Sequence, residues 1–117
     1  MHAVTLKNID KKFGAAHVLK RLSLDIGGGD FVVLLGSSGC GKSTLLSIIA
    51  GLEDPTDGQV LFGQRDVTDL SPKTRDIAMV FQSYALYPTM SVRDNMGFGL
   101  RMASLPATEI TERVQWA

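Results

Sequence analysis

The stretch from Gly36 to Thr44, GSSGCGKST, contains the residue types and the spacing that bind phosphate. Four residues separate Gly36 from Gly41, and Lys42 and Ser43 follow directly. This spacing is typical of a phosphate-binding loop (P-loop), in which glycines let backbone N–H groups turn toward phosphate oxygens. Lysine reaches the outer phosphates, and the serine hydroxyl ligates the accompanying Mg²⁺. The alternative, an ordinary glycine-rich turn, requires neither Lys42 nor Ser43.

The elements on either side of this loop would hold it between a strand and a helix. The apolar run Phe31–Leu35 predicts a strand buried on both faces of a parallel sheet. Leu45, Ile48, Ile49 and Leu52 form one apolar stripe and predict a helix over about 42–50, with Gly51 as its C-terminal cap. The N-terminus of such a helix favours an anion. We therefore expect the phosphates to contact Ser37, Ser38, Gly39, Cys40, Gly41, Lys42, Ser43 and Thr44.

The remaining elements follow from alternation, turn residues and capping signals. Residues 2–6 and 17–26 alternate and predict two strands of an antiparallel meander. Short apolar runs predict further strands at 60–62 and 77–81, the second buried like 31–35. Ser71 followed by proline predicts a helical turn over 72–75, Ser91 starts a helix to about 103, and Pro106 opens another at about 107.

Length and composition limit the class of protein. The 117 residues are 44% hydrophobic and 21% charged, which indicates one globular domain or part of one. Twelve basic and twelve acidic residues cancel, so we expect no nucleic acid partner. The one cysteine lies in the glycine-rich loop and fits a reducing compartment. We see no signal peptide and no apolar run of membrane-spanning length, so any link to a membrane would go through a partner.

Three motifs in a fixed order carry a resemblance to a known family. These are Phe13, the glycine-rich loop, and the stretch FQSYALYP from Phe81 to Pro88. With them the chain resembles the ATP-binding subunit of ABC transporters over essentially its whole length. The run from Arg75 to Leu100 most resembles the ATPases of bacterial sugar importers, of the maltose and glycerol-3-phosphate type, although polyamine and metal importers share a similar run.

The resemblance implies an α/β fold of the P-loop NTPase class, namely the N-terminal half of an ABC ATPase domain. That half has an antiparallel β part, a P-loop βα core and the start of a helical subdomain. We expect the first two over about residues 1–86 and the third over about 87–117. The resemblance also implies ATP and Mg²⁺ as cofactors.

Two residues outside the loop take roles from the resemblance. Phe13 falls where the family stacks an aromatic ring on adenine, and Val18 would support the other side of the base; the plainer reading of Phe13 is a core residue at a strand end. Gln82 falls where the family has a glutamine that completes the Mg²⁺ shell and orients a water, whereas a lone Gln after a strand is usually a solvated loop residue. Lys42 and Gln82 are therefore the expected catalytic residues, and Ser43 and Gln82 the expected metal ligands.

The resemblance further implies partners and a place in the cell. The family works as a dimer of ATPase subunits, here expected as a homodimer, at the cytoplasmic face of the bacterial inner membrane. It couples ATP hydrolysis to solute import through a transmembrane permease, fed by a periplasmic or extracellular solute-binding protein. We expect the region of Tyr87, Met90 and Met96 to contact the permease.

The chain lacks a residue that hydrolysis needs. A P-loop ATPase has an acidic residue at the end of a second buried strand, and none of the twelve acidic residues follows four apolar residues. The family's signature loop, catalytic glutamate and switch histidine also lie downstream of the residues present. We therefore expect weak nucleotide binding without turnover from these 117 residues alone. Another P-loop NTPase, or a small-molecule kinase, is the alternative; the arginines are scattered rather than grouped in a kinase-like lid.

Overall fold

The computed structural model describes residues 2–37, 41–82, 84 and 86–117. Its contacts divide the chain into two compact units, Met1–Met79 and Val80–Ala117. Each unit has its own architecture and is described by itself. The assignment of 87–117 to a helical subdomain stays a prediction.

The first unit is built on an antiparallel sheet of four strands. They are β1 (Val4–Phe13), β2 (Ala16–Ile26), β3 (Asp57–Phe62) and β4 (Arg65–Asp66), in the order β2-β1-β3-β4. The predicted antiparallel pairing of the first two strands is confirmed, with Val4 opposite Ile26 and Phe13 opposite Ala16. β1 is longer than the predicted strand over 2–6, because it continues through irregularities that the alternation does not follow.

One helix packs against this sheet and completes the hydrophobic core of the unit. Helix α1 spans Lys42–Ala50, as predicted, and Gly51 caps it with a left-handed φ of 86°. The buried apolar residues come from the sheet, from α1 and from the segment after β4: Leu6, Ile9, Leu19, Leu45, Ile48, Val60 and Val67. Leu52, predicted to join the apolar stripe, is half-exposed instead, because the helix ends before it.

Two predicted strands are absent from the described residues. The runs 31–35 and 77–81 are not strands, and several of their side chains are exposed, including Phe31 at 93% and Val80 at 83%. A fully apolar run forms a stable strand when hydrogen-bonded neighbours flank it and both faces are covered. The described sheet is antiparallel throughout and pairs with neither run. The prediction of two buried parallel strands is therefore wrong for this structure.

A short helix lies near the C-terminal end of the first unit. Helix α2 spans Pro72–Arg75 and starts as predicted, with Ser71 extended before the proline. The side chain of Arg75 turns back into the unit and is only 4% exposed. Its guanidinium donates hydrogen bonds to four carbonyl oxygens, those of Ile48, Ile49, Thr68 and Leu70. Burial of the guanidinium lowers the pKa of Arg75, and the carboxylates of Asp54 and Asp69 oppose that shift.

The second unit contains two helices. Helix α3 spans Val92–Met102 and is capped by Ser91, whose hydroxyl accepts a 3.1 Å hydrogen bond from the backbone N–H of Asp94. Helix α4 spans Ala107–Trp116 and packs on α3 at Gly97. Both helices were predicted to within about a residue of their observed starts. In the described part of the chain, no helix combines the length and the hydropathy that a membrane span requires.

The loop before α3 is fastened to that helix by one amide side chain. Asn95 Oδ1 accepts a 2.9 Å hydrogen bond from the backbone N–H of Tyr87. Its Nδ2 donates to the carbonyls of Tyr87, Met90 and Ser91 at 2.9 to 3.3 Å. The ring of Tyr87 lies 4.8 Å from that of Phe98. These contacts fix residues 87–91 on the first turns of α3.

Candidate nucleotide-binding site

The residue that precedes α1 is Gly41, and a residue with a Cβ atom would fit poorly at this position. Gly41 has a left-handed φ of 95°, which side-chain-bearing residues rarely adopt. A Cβ atom there would lie 2.9 Å from Leu19 Cδ2 and 3.2 Å from Val18 Cγ1. The backbone at the start of α1 therefore lies in close contact with β2. The first turn, Lys42-Ser43-Thr44, contains no acidic side chain, so its N–H groups and the helix dipole remain available to an anion.

The side chain of Lys42 folds back over the start of the glycine-rich loop. Its ammonium donates to the carbonyl of Gly36, and it lies 3.4 Å from the carbonyl of Ser37. An ammonium has three N–H donors and can bond several acceptors at once. Lys42 is thus held beside the loop by backbone carbonyls of the loop itself.

The other predicted loop residues are placed as follows. Ser37 and Ser43 are exposed, and Thr44 is half-buried in the first turn of α1. The exposed Ser43 hydroxyl is available to a ligand or a metal ion that approaches the helix N-terminus. Ser38, Gly39 and Cys40 lie outside the described residues, so their contacts with phosphate stay predictions.

Phe13 and Val18 lie near the hairpin that joins β1 to β2. Phe13 is the last residue of β1 and is 47% exposed, so it is not a core residue. Val18, in β2, is half-buried and contacts the hydrophobic core on the side where Gly41 approaches. The structure thus brings Val18 to the start of α1 and leaves the Phe13 ring accessible. The stacking of adenine on Phe13 stays a prediction.

Gln82 and the expected permease contacts belong to the second unit. Gln82 is exposed in a turn after the run 77–81, and its role at a metal ion stays a prediction. Tyr87 and Met96 are each a little under half exposed, and Met90 is half-buried. All three lie in or near the segment that Asn95 fastens to α3.

The sequence analysis did not predict the structural roles of three residues, Lys11, Arg75 and Asn95. Lys11 is buried at 8% exposure and contacts Phe13, Glu53 and Asp54. Arg75 binds the last carbonyls of α1, and Asn95 binds the loop before α3. Lys11 had no usable signal, because the predicted strand ended at residue 6 and its partners Glu53 and Asp54 lie far along the chain. Arg75 and Asn95 had none, because their partners are backbone carbonyls and N–H groups that no residue pattern announces.

Comparison with known proteins gives the family and the fold of this chain. The sequence pattern of the ABC transporter family matches residues 19–117. The chain belongs to the ABC transporter family. Among solved structures it is similar to the dimeric post-hydrolysis state of the ATP-binding cassette MJ0796 bound to ADP and Pi, with a TM-score of 0.83 and 34% identity over 96% of this chain and 54% of that one. The fold is therefore that of the N-terminal part of an ABC ATPase, of the P-loop NTPase class, as expected.

Curated relatives in this family are import ATP-binding proteins. The chain is 55% identical to the Fe(3+) ions import ATP-binding protein FbpC of Photobacterium profundum, over 95% of this chain and 32% of that protein. It is 51% identical to the sn-glycerol-3-phosphate import ATP-binding protein UgpC of Ralstonia nicotianae, over 100% of this chain and 32% of that protein. The chain thus spans about a third of the length of these relatives.

Proposed function

We propose that this chain is the ATP-binding part of an ABC importer subunit, which couples ATP hydrolysis to the uptake of a solute. The observation that carries the proposal is the start of α1, where Gly41 lies against Val18 and the ammonium of Lys42 donates to the carbonyl of Gly36 beside the loop. A Cβ atom at Gly41 would meet Leu19 and Val18, so glycine lets the start of the helix lie close to β2. Relatives named for import support the transport half of the proposal.

In this proposal the nucleotide is ATP with Mg²⁺. The loop residues 37–44 hold the phosphates, and Lys42 offers an N–H to the outer phosphate. The exposed hydroxyl of Ser43 would supply a ligand to Mg²⁺, and the ion would neutralise phosphate charge. Gln82 would supply a further metal ligand and orient the attacking water. The half-exposed ring of Phe13 stacks on the adenine, with Val18 at the edge of the base pocket.

The proposed solute is a sugar or a related carbohydrate. UgpC relatives are named for import of sn-glycerol-3-phosphate, and several of them are 51–55% identical to this chain. A second candidate is Fe(3+), since FbpC is 55% identical to this chain. Uptake assays with a labelled glycerol phosphate and with labelled ferric ion, in cells lacking the subunit and complemented with it, separate the two.

The proposed assembly is a homodimer on the cytoplasmic face of the inner membrane, bound to permease subunits. A dimeric neighbour of the same fold supports the homodimer. The permease surface would include Tyr87, Met90 and Met96, and a solute-binding protein would act through the permease. Apolar and sulfur-containing side chains at partial exposure suit an adaptable protein contact.

The test of the nucleotide site is the substitution Lys42→Ala in the full-length protein. Removing the ammonium should weaken ATP binding at least about tenfold and abolish ATPase activity and uptake. Lys73→Ala, which removes an exposed lysine of α2, is the matched control and should leave all three unchanged. Normal uptake by Lys42→Ala would refute the assignment of the phosphate site.

The 117 residues alone should bind nucleotide weakly and not hydrolyse it. The reason is the missing acidic residue after a second apolar strand, which the sequence itself shows. Steady phosphate release from the purified chain, lost on Lys42→Ala, would contradict this expectation.

A further inference from the structure

Lys11 is a buried lysine in the middle of the first unit. It lies on β1 and is 8% exposed, although lysine is among the residues least often buried. A buried ammonium has to be paired, because its desolvation is costly. Lys11 is paired twice: its Nζ lies 2.7 Å from Glu53 Oε1 and donates a 2.5 Å hydrogen bond to the carbonyl of Asp54.

The same ammonium lies over the ring of Phe13. The distance from Lys11 Nζ to the ring centroid is 4.9 Å, within the range of a cation–π contact. Lys11 and Phe13 lie two positions apart on β1. The ring is still 47% exposed, which leaves area for a second planar group.

The partners of Lys11 are themselves fixed to the end of α1. The N–H groups of Leu52 and Glu53 donate to the carbonyl of Ser47, at 2.9 and 3.2 Å. A continuous set of contacts therefore runs from the last turn of α1 through Glu53 to Lys11, and on to the Phe13 ring. The helix that starts at the phosphate loop thereby helps to set the position of the aromatic ring.

We propose that Lys11 is a positioning residue for the nucleotide base, because it holds the Phe13 ring in the orientation that stacks on adenine. The proposal rests on the proposed stacking of adenine on Phe13 and adds the group that orients that ring. A cation on one face restricts the rotation of the ring and leaves the other face for the base. Lys11 itself touches neither base nor phosphate.

A merely structural lysine and a positioning lysine differ in their ligand dependence. Loss of a structural residue weakens the binding of every ligand alike, because it lowers the population of folded protein. Loss of a residue that positions the base weakens the binding of ATP and leaves the binding of inorganic tripolyphosphate unchanged. The ratio of the two dissociation constants therefore distinguishes the two roles.

The experiment measures both ligands by calorimetry on the full-length protein. Lys11→Met keeps the apolar stem of the side chain and removes the ammonium. We expect it to weaken ATP about three- to tenfold and to change tripolyphosphate binding less than about twofold. Lys11→Arg should restore the ATP affinity to within about twofold, because a guanidinium also stacks on aromatic faces. Lys12→Met removes the exposed neighbouring lysine and should change neither ligand.

One further variant keeps the proposal testable if Lys11→Met fails to fold, and a double substitution tests the coupling to Phe13 if it folds. Glu53→Gln removes the charge that anchors Lys11 and should cause a smaller loss that is again confined to ATP. In a Phe13→Ala background, Lys11→Met should have no further effect on ATP. Equal losses for ATP and tripolyphosphate, or a full additional loss in the Phe13→Ala background, would overturn the proposal.

The same measurements separate this proposal from the one it rests on. If Phe13→Ala weakens both ligands equally, the stacking of adenine on Phe13 is wrong. If Phe13→Ala weakens ATP alone but Lys11→Met and Glu53→Gln change neither ligand, the stacking stands and the role of Lys11 is wrong.

Discussion

The guanidinium of Arg75 donates a 2.7 Å hydrogen bond to the carbonyl of Ile48, in the last turn of α1. A second bond from the same nitrogen reaches the carbonyl of Ile49 at 2.9 Å. The last carbonyls of a helix have no partner within it, and a cation there also complements the helix dipole. Arg75 therefore caps the helix whose other end begins at the glycine-rich loop.

Replacing Arg75 should destabilise the first unit strongly. Arg75→Met removes one hydrogen-bond donor from each of four carbonyls and a buried charge from its partners, and should lower the free energy of unfolding by about 3 kcal/mol. Arg65→Met makes the same chemical change at an exposed position of β4 and should cost less than about 0.5 kcal/mol. Urea unfolding followed by circular dichroism measures both. Equal losses for the two variants would show that the carbonyl contacts of Arg75 contribute no more to the free energy of unfolding than an exposed arginine does.

Gly41→Ala should be costly for two reasons that a second glycine can separate. The left-handed backbone strains any residue with a Cβ, and at Gly41 the Cβ also meets Leu19 at 2.9 Å. We expect a loss of about 2–4 kcal/mol. Gly29 has a similar φ of 85° but nothing within 4 Å of its Cβ position, so Gly29→Ala should cost only about 1–2 kcal/mol. The difference between the two losses in unfolding free energy measures the cost of the contact with β2. Equal losses would refute the prediction that this contact adds to the cost.

Two glycines of α3 should respond differently to alanine. Gly99 faces open space, so Gly99→Ala should stabilise the helix by about 1 kcal/mol through its higher helix propensity. At Gly97 a Cβ would lie 3.3 Å from Ile110 Cγ2 and 3.4 Å from Val114 Cγ2. Gly97→Ala should therefore gain less than Gly99→Ala, since α4 has to move outward. Thermal unfolding compares them, and an equal gain would mean that α4 yields without cost.

Asp10 should make stability depend on pH in the acid range. The hydrogen bond from His17 Nε2, at 2.6 Å, lowers the pKa of the Asp10 carboxyl, and the N–H of Arg21 adds to this. A carboxyl with a lower pKa in the folded state stabilises the protein above its unfolded pKa, and this stabilisation is lost as pH falls through the folded value. Stability should therefore fall below about pH 4.

The check on this pH dependence is a set of unfolding curves at several pH values. Asp10→Asn should remove part of the decline below about pH 4, and His17→Ala should reduce it as well. Asp25→Asn, which removes an exposed carboxylate of β2, is the matched control. If Asp10→Asn leaves the wild-type pH profile unchanged, the hydrogen bond from His17 does not stabilise the folded state.

Local signals in the sequence predicted most elements that depend on local physics. The apolar stripe and Gly51 located α1, proline after Ser71 located α2, and the serine before Val92 located the start of α3. Capping and helical periodicity act within a few residues, so they are readable without the fold.

Features that depend on distant partners were not readable in this way. The runs 31–35 and 77–81 have the composition of buried strands, but a strand exists only where another strand pairs with it. β1 extends to Phe13 because β2 and β3 flank it, which the alternation over residues 2–6 did not show. The contacts of Lys11 with Glu53 join residues 42 positions apart, which no local pattern encodes.

The order of strands has a consequence for the folding of the chain during its synthesis. β1 pairs first with β2, its neighbour in sequence, but its other edge pairs with β3, where Val4 lies opposite Phe62. The whole phosphate loop and α1 lie between these two partners. During synthesis, β1 therefore keeps one open edge until Phe62 has left the ribosome, and this long-range closure is the slow kind of folding step. Val60 of β3 shares a hydrophobic core with Leu45 and Ile48 of α1, so that core is complete only after this closure.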